Sequence, residues 1–420
     1  MATRATPSRL PILSLLTASA ISQVGNVLTL VTVPWFVLQT TDSPSKTGIT
    51  GFVIALPVVI AGIFGGVLVD RVGFKRMSIY ADLASGVTVA LIPLLHLTIG
   101  LEFWQLLILA FLGALLDAPG QTARTSLYPE LADIAGMPLE RANSIEQASS
   151  RLSFMVGPPV AGLLIATIGP ANVLWIDAAS FVISAAIVAV LIPSAVRGEI
   201  DTAPEIGYLA DLATGFQQLR ADRLLLWLAV YGAILNFFDA MTNIIYPIYA
   251  DRVYDSALDL GLILGGLGGG GLLSVAVFGA IGHRLPRRET LIGGFILLSL
   301  PLWVFVVTPP VLILIGVQAL RGIGVGPINP IATTVLQERV PREMLGRVFG
   351  LLIAAAWIAF PLGNLVTGFL VEGIGLIPTL VAISTAYLAV AVSMLLIPAF
   401  HEMDMDTEQI AAISAKATPE

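Results

Sequence analysis

From residue 10 onward the chain alternates long apolar runs with short polar or Gly/Pro-rich breaks. The runs lie near 10–38, 46–69, 77–99, 103–126, 143–168, 171–193, 224–250, 258–282, 289–307, 310–335, 345–372 and 376–399. Each is about 20 residues or longer, the length that crosses a hydrocarbon core of roughly 30 Å at 1.5 Å per residue. Lipid satisfies no backbone hydrogen bond, so each run is predicted to be a helix. The predicted fold is therefore all-α and integral to a membrane, with twelve transmembrane helices. One long polar interruption, 196–223, divides them six and six. The expected organisation is an N-terminal six-helix bundle (1–195), a cytoplasmic linker (196–223), a C-terminal six-helix bundle (224–400) and an acidic cytoplasmic tail (401–420). Within the linker, LADLATGFQQL (209–219) has the spacing of an amphipathic helix lying along a membrane surface.

The two halves repeat. A shift of 213 residues lays Pro34 on Pro247, Gly48 on Gly261, Gly66 on Gly279, Arg71 on Arg284 and Asn26 on Asp239. A shift of 206 to 208 lays Pro119 on Pro327, Arg141 on Arg347, Gly162 on Gly368 and Gly169 on Gly375. Duplication of this kind predicts two pseudo-symmetric bundles with a shared cavity, the plan of a transporter. With alternate loops on opposite sides, only Lys46 and Arg252 fall on one face and Arg321 inside a span, while the rest of the 21 Lys and Arg share the other face. The positive-inside rule makes that face cytoplasmic and puts both termini inside. Arg4 and Arg9 precede the first run without a cleavage-type boundary, so an uncleaved first span is expected.

Composition narrows the chemistry. Of 420 residues 56% are hydrophobic and 12% charged, as in a membrane protein. The chain has no cysteine, and His96, His283 and His401 are far apart, so neither disulfides nor a metal site is expected. The net charge of -7 sits mainly in loops and tail and gives no reason to expect nucleic acid. Gly266, Gly268 and Gly271 carry the letters of a dinucleotide loop, yet they lie inside a span with no preceding strand, where helix packing explains them. No Gly-Lys-Ser/Thr phosphate loop occurs, so no nucleotide and no other cofactor is expected, and the chain reads as a transporter rather than an enzyme.

Between spans two and three stand Gly66, Asp70, Arg71, Gly73, Lys75 and Arg76. A tight turn needs the small Gly73, and the charges around it can bind the end of a neighbouring helix. The segment resembles the loop signature of the major facilitator superfamily, with Phe74 in place of a basic residue. In span five, Gly157, Pro158 and Gly162 resemble the Gly-Pro-x-x-Gly-Gly element of the drug:proton antiporter branch, with Ala161 replacing one glycine. The strings TARTSLYPEL, LERANSIEQ, WIDAASFVIS and MLGRVFGLL are similar to macrolide-efflux and actinobacterial Tap-type multidrug pumps. The resemblance implies a major facilitator fold in the cytoplasmic membrane and proton-coupled export of amphipathic drugs of macrolide, tetracycline or aminoglycoside type. It also implies an acid in span one, where this chain has Asn26.

Two charges lie at membrane depth in the second half. Asp239 is roughly 22 Å into span seven, where an unaided carboxylate costs about 2.5–3.5 kcal/mol. Asn236 and Asn243, at i-3 and i+4, extend a polar stripe around it. Arg321 lies in span ten. Asp239 is expected either to carry the coupling proton, with Arg321 adjusting its proton affinity as hydration alternates, or to form a static ion pair joining spans seven and ten. Asp117, near the cytoplasmic end of span four, is the second proton-site candidate, or else a helix-end acid paired with Arg124; Asp82 and Asp177 are expected to stabilise helix contacts. Candidates for the substrate cavity are Gln23, Asn26, Trp35, Asn236, Phe237, Phe238, Asn243, Tyr246, Trp357 and Phe360, aromatic walls with few polar anchors. The expected partners are a small amphipathic drug or metabolite, protons and lipid, with the protein a monomer. Export of a native metabolite such as a siderophore, nutrient uptake, or a non-transporting scaffold or sensor remain the alternatives.

Overall fold

The computed structural model describes residues 8–193, 208–341 and 344–404, without the side chains of 61–68, 70, 71, 208–214 and 404. Every predicted span is helical. In chain order the helices are α1 (Leu10–Thr41), α2 (Pro44–Val72), α3 (Phe74–Thr98), α4 (Phe103–Ala135), α5 (Leu139–Ile168), α6 (Pro170–Leu191), α7 (Tyr208–Ala221), α8 (Arg223–Tyr249), α9 (Ala257–Ile281), α10 (Arg287–Ser299), α11 (Trp303–Val306), α12 (Val311–Arg339), α13 (Leu345–Ile374) and α14 (Leu376–Ser393). Among the described residues eleven helical segments are long and apolar enough to cross a membrane, and α2, with its apolar stretch Pro44–Ile60, supplies the twelfth span. The ninth span is broken at Pro301, where a 3-10 turn, Leu300–Leu302, joins α10 to α11 because proline cannot donate to the helical ladder.

Three of the connections are single glycines. Gly73, Gly169 and Gly375 have φ of 88°, 81° and 90°, a region closed to most residues with a Cβ, and each both ends one helix and opens the next. Gly169 and Gly375 are also a matched pair of the internal repeat. One connection departs from the sequence expectation: α4 continues past residue 126 to Ala135, and α5 starts at Leu139. Arg124 and Tyr128 are thereby inside a helix and buried (4% and 3% exposed) rather than beside a loop.

Contacts group the chain into two units. The first comprises Met1–Ala203 with Asn243–Gly265 and Asn364–Gly373; the second comprises Pro204–Thr242, Gly266–Gly363 and Ile374–Glu420. In the first, α1 packs on α5 and α6, α3 on α4 and α6, and α2 on α4, around clusters that include Leu15, Leu127 and Leu131 at one end and Val33, Ile92 and Phe181 at the other. Outward-facing side chains such as Val87, Leu97, Trp104 and Val190 are exposed and apolar, as lipid contact requires.

In the second unit, α7 lies where the amphipathic linker was expected. Gly215 meets Arg347 and Leu351 of α13, Leu219 is buried and Phe216 is exposed. Asp222 then caps α8, accepting from the N–H groups of Leu224 (2.8 Å) and Leu225 (3.1 Å), and pairs with Arg339 of α12 at 3.0 Å. The remainder of the linker, 194–207, and of the tail, 405–420, lies outside the described residues.

The glycine run of α9 is a packing surface. A Cβ on Gly266 would lie 2.6 Å from the Ile315 carbonyl oxygen, and one on Gly270 would overlap that of Ala319, so backbone of α9 rests on backbone of α12. A Cβ on Gly271 meets only the Gly322 carbonyl at 3.8 Å. Gly270→Val is therefore expected to destabilise by about 1–3 kcal/mol or more through overpacking, whereas Gly271→Ala leaves stability unchanged. Thermal unfolding of the detergent-purified variants checks this, and equal melting temperatures for the two would refute the close-approach account.

Candidate functional site

The first unit buries a polar seam between two antiparallel spans. Along α4, Asp117, Gln121, Arg124 and Tyr128 recur at i, i+4, i+7 and i+11 and so share one face. Along α1, Ser19, Ser22, Asn26 and Thr29 recur at i, i+3, i+7 and i+10 and likewise share one face. The stripes meet in register: Tyr128 Oη donates to Ser19 Oγ (3.2 Å), Arg124 Nη2 to Ser22 Oγ (3.5 Å) and Asn26 Nδ2 to Asp117 Oδ2 (3.0 Å).

Third and fourth helices complete the seam. Asp82 of α3, fully buried, accepts from Arg124 Nη1 at 2.6 Å through Oδ1 and from Ser184 Oγ of α6 at 2.7 Å through Oδ2. Asp117 is held differently. Its Oδ2 accepts from Asn26 and from Gln121 Nε2 (2.6 Å), while its Oδ1, also buried, accepts no hydrogen bond and stands 3.7 Å from Arg124 Nη2. Two carboxylates thus share one guanidinium, and one of them has an oxygen left over. Nearby, Thr29 and Ser180 donate to Asp177 of α6, and Gly25 leaves room for that pair, since a Cβ there would overlap both Asp177 and Ser180. Gln23 Nε2 donates to Glu146 Oε1 of α5 at 3.2 Å. Of the seam's members, the sequence singled out Asp117, Asn26 and Gln23 as site candidates; Arg124 entered only as a helix-end partner and Asp82 only as a helix-contact acid. The i, i+4, i+7 spacing on α4 is the signal that joins Arg124 to the group.

The second unit holds the other intramembrane charges. Asp239 of α8 is exposed, and Arg321 of α12 and Tyr387 of α14, both buried, lie within electrostatic range of it. Arg321 is oriented by donating through Nε to the Leu298 carbonyl of α10 (2.7 Å) and through Nη1 to Gln318 Oε1 (2.8 Å). Phe238 stacks on Tyr387 with centroids 5.3 Å apart, and Phe237 meets Phe238 edge-on at 5.7 Å. Asn236 donates to the Gly232 carbonyl of its own helix.

The remaining candidates scatter. Trp357 (41% exposed) and Phe360 meet each other on α13 in the second unit, while Trp35 and Tyr246 are buried and, with the half-buried Asn243, belong to the first. An apolar cleft of about 430 Å³ between α9, α10 and α12, walled by Leu273, Phe278, Leu297 and Ile323, includes none of them.

The two motifs have distinct surroundings. Lys75, just after Gly73, donates to the Ala189 (3.0 Å) and Ile192 (2.5 Å) carbonyls at the C-terminal end of α6, where the helix dipole favours a cation. Arg76 is exposed, Gly66 lies within α2, and the side chains of Asp70 and Arg71 lie outside the described residues. In α5, Gly157 faces Val27 of α1, and Gly162 lies against Ala257 and Gly261 of α9. Among the described residues no group of three acidic or histidine side chains is placed to hold a metal ion.

A family model for the Major Facilitator Superfamily matches residues 15–270 and 232–415. The chain belongs to the major facilitator superfamily. Within it, the chain is 33% identical over 405 residues to the multidrug efflux pump Tap of Mycolicibacterium fortuitum, covering 94% of this chain and 97% of that one. It is 22% identical to macrolide efflux protein A of Streptococcus pyogenes, over 92% and 95% of the two chains. Among solved structures it is similar to the nucleoside transporter NupG (TM-score 0.75, 12% identity, 91% of this chain and 98% of that one). It is also similar to a bacterial homolog of the human lysosomal transporter Spinster (TM-score 0.72, 15% identity, 96% and 100%). At these identities the structures establish the facilitator fold, a multi-pass membrane architecture of twelve spans in two pseudo-symmetric bundles, and nothing finer.

Proposed function

We propose that this facilitator is a secondary active exporter. It moves amphipathic drugs out of the cytoplasm in exchange for protons, by alternating access of bundles 1–195 and 224–400, in the cytoplasmic membrane with both termini inside. The observation that carries the reading is the 33% identity to a multidrug efflux pump along 94% of the chain. Ionisable side chains at membrane depth on α3, α4, α6, α8 and α12 support the proton half of it, because such groups are costly unless a pathway or a partner uses them. Asp239, exposed on α8, meets the charged end of a cationic substrate, with Asn236 beside it.

Inverted membrane vesicles with an acidic lumen test the reading. A panel of ethidium, erythromycin and tetracycline is expected to accumulate in the lumen, and a protonophore to abolish the accumulation. Movement indifferent to the proton gradient would overturn antiport, and movement of no compound would overturn export. Asp239→Asn is expected to raise KM for ethidium about tenfold or more, the loss of one charge-assisted contact of about 1.5–3 kcal/mol, with neutral compounds unaffected. An unchanged KM for ethidium would remove Asp239 from the substrate path.

A further inference from the structure

The first-unit seam distinguishes its two acids. Asp82 has both oxygens occupied, one by the guanidinium at 2.6 Å and one by a hydroxyl at 2.7 Å, and is fully buried. Protonating it would break the short contact with Arg124 and leave a buried cation underpaired, a costly change. Asp117 stands at 3.7 Å from the same guanidinium, accepts two neutral amide donors on Oδ2, and keeps Oδ1 bare. With Asp82 and Asp117 ionised and Arg124 charged, the cluster holds one negative charge in excess. Adding one proton at Oδ1 makes it neutral and displaces no hydrogen bond, giving up only the 3.7 Å ion pair with Arg124 Nη2.

Nothing else around Asp117 takes that place. From α3 it faces Asp82, and from its own helix Arg124 and Gln121. From α1 it faces Asn26 and Ser22, and from α6 Asp177, which is held by two hydroxyls. On α5, Glu146 is held by Gln23, and Arg151 is exposed. On α2 no ionisable residue stands between Lys46 and Asp70. Asn26, at the first-half repeat position of Asp239, is an amide here and titrates at no accessible pH, so it donates to the neighbouring acid instead of carrying the proton itself.

The geometry points to Asp117 Oδ1 as the residence of the exchanged proton, with Asn26 of α1 and Gln121 as positioning residues that couple its occupancy to α1. This rests on the antiport reading above and locates its proton. The ionised carboxylate pulls on Asn26 Nδ2 and on Arg124 together, and the neutral acid releases Arg124 to Asp82 alone. The seam between α1 and α4 therefore has two arrangements for the two protonation states, the kind of bistable contact that couples a site to a conformational change.

The test measures proton release from purified protein in weakly buffered detergent with a pH-indicating dye, on addition of whichever compound of the vesicle panel the wild type exports fastest. Wild type is expected to release close to one proton per bound molecule. Asp117→Asn is expected to bind the compound and melt near the wild-type temperature yet release less than a fifth as much, while Asp117→Glu releases as wild type does. In vesicles Asp117→Asn is expected to exchange labelled for unlabelled compound but not to accumulate it against a gradient. Full release by Asp117→Asn would overturn the assignment while leaving antiport intact. Absence of release and of gradient-driven movement in wild type would overturn antiport and the assignment with it. Should Asp117→Asn fold poorly, loss of release in the well-folded Asn26→Leu variant supports the seam as the locus, and unchanged release there refutes the coupling to α1.

Discussion

Arg124→Leu is expected to cost about 3–5 kcal/mol of folding stability, the range for removing one partner of a buried ion pair, and to cut the yield of monodisperse protein several-fold. The guanidinium reaches Asp82 at 2.6 Å, Asp117 at 3.7 Å and Ser22 at 3.5 Å, and is itself 4% exposed. Its loss strands two carboxylates on α3 and α4 in a medium that solvates neither. Arg124→Lys keeps the charge but cannot span three helices with a planar fork, so an intermediate loss is expected. Asp82→Asn alone also loses the 2.6 Å contact and leaves Arg124 underpaired, but it should cost less than Arg124→Leu because Asp117 remains 3.7 Å from the guanidinium and no carboxylate is stranded. Adding Asp82→Asn to Arg124→Leu is expected to restore part of the stability, with a coupling energy of about 0.5–3 kcal/mol between the two sites. Fluorescence-detected gel filtration and thermal unfolding read all four proteins. Purely additive effects would show that Arg124 and Asp82 do not act as a pair.

That cluster marks where sequence reading stops. Apolar runs, a single-glycine turn at Gly169 and another at Gly375 are local signals, and the helices begin and end at them. The role of Lys75 at a helix end was legible as a type of contact, though not that α6 would be the helix. Asp117 was legible as an acid inside a span with Arg124 as a partner, but its neighbours on α1 and α3 were not. Asp82 is on another helix, and only the rotation of α3 about its own axis decides whether that side chain faces α4 or lipid. The extension of α4 to Ala135 had the same consequence for Arg124, because Thr122, Arg124 and Thr125 read as the polar edge of a membrane while Leu127, Leu131 and Ala132 carry the buried face onward. In the second half Asp239 was conspicuous by its charge, yet the nearness of Tyr387 follows from α14 packing, which no periodicity reports.

The internal repeat reaches further than topology. Inside the first unit, Gly48 of α2 lies against Gly368 of α13, and Gly162 of α5 lies against Gly261 of α9; a Cβ on Gly48 would stand 2.8 Å from Gly368 Cα, and one on Gly162 3.1 Å from Gly261 Cα. The shift of 213 carries Gly48 to Gly261, and the shift of 206 carries Gly162 to Gly368. One contact is thus the image of the other. Both occur at span ends opposite the basic loops, the face that the proposed orientation makes the outer one. Nearby, Gln39 donates to Asp251, and Ser43 and the Ser45 N–H donate to Glu372. Backbone in contact with backbone leaves no space for a side chain, so Gly162→Leu is expected to hold α5 and α9 apart while the helix contacts within 1–195 persist. On the proposed alternating-access reading, an overpacking cost of about 1–3 kcal/mol falls on the arrangement in which these glycines touch and shifts the population away from it by about 5–150-fold. Drug binding is then retained, export falls about tenfold or more, and a Gln23→Cys reporter in this cysteine-free chain reacts faster with an impermeant maleimide from outside. Gly48→Leu, at the symmetry-related contact, is expected to give the same phenotype. Normal export by either variant, or unchanged labelling, would show that these glycines pack the helices without gating them.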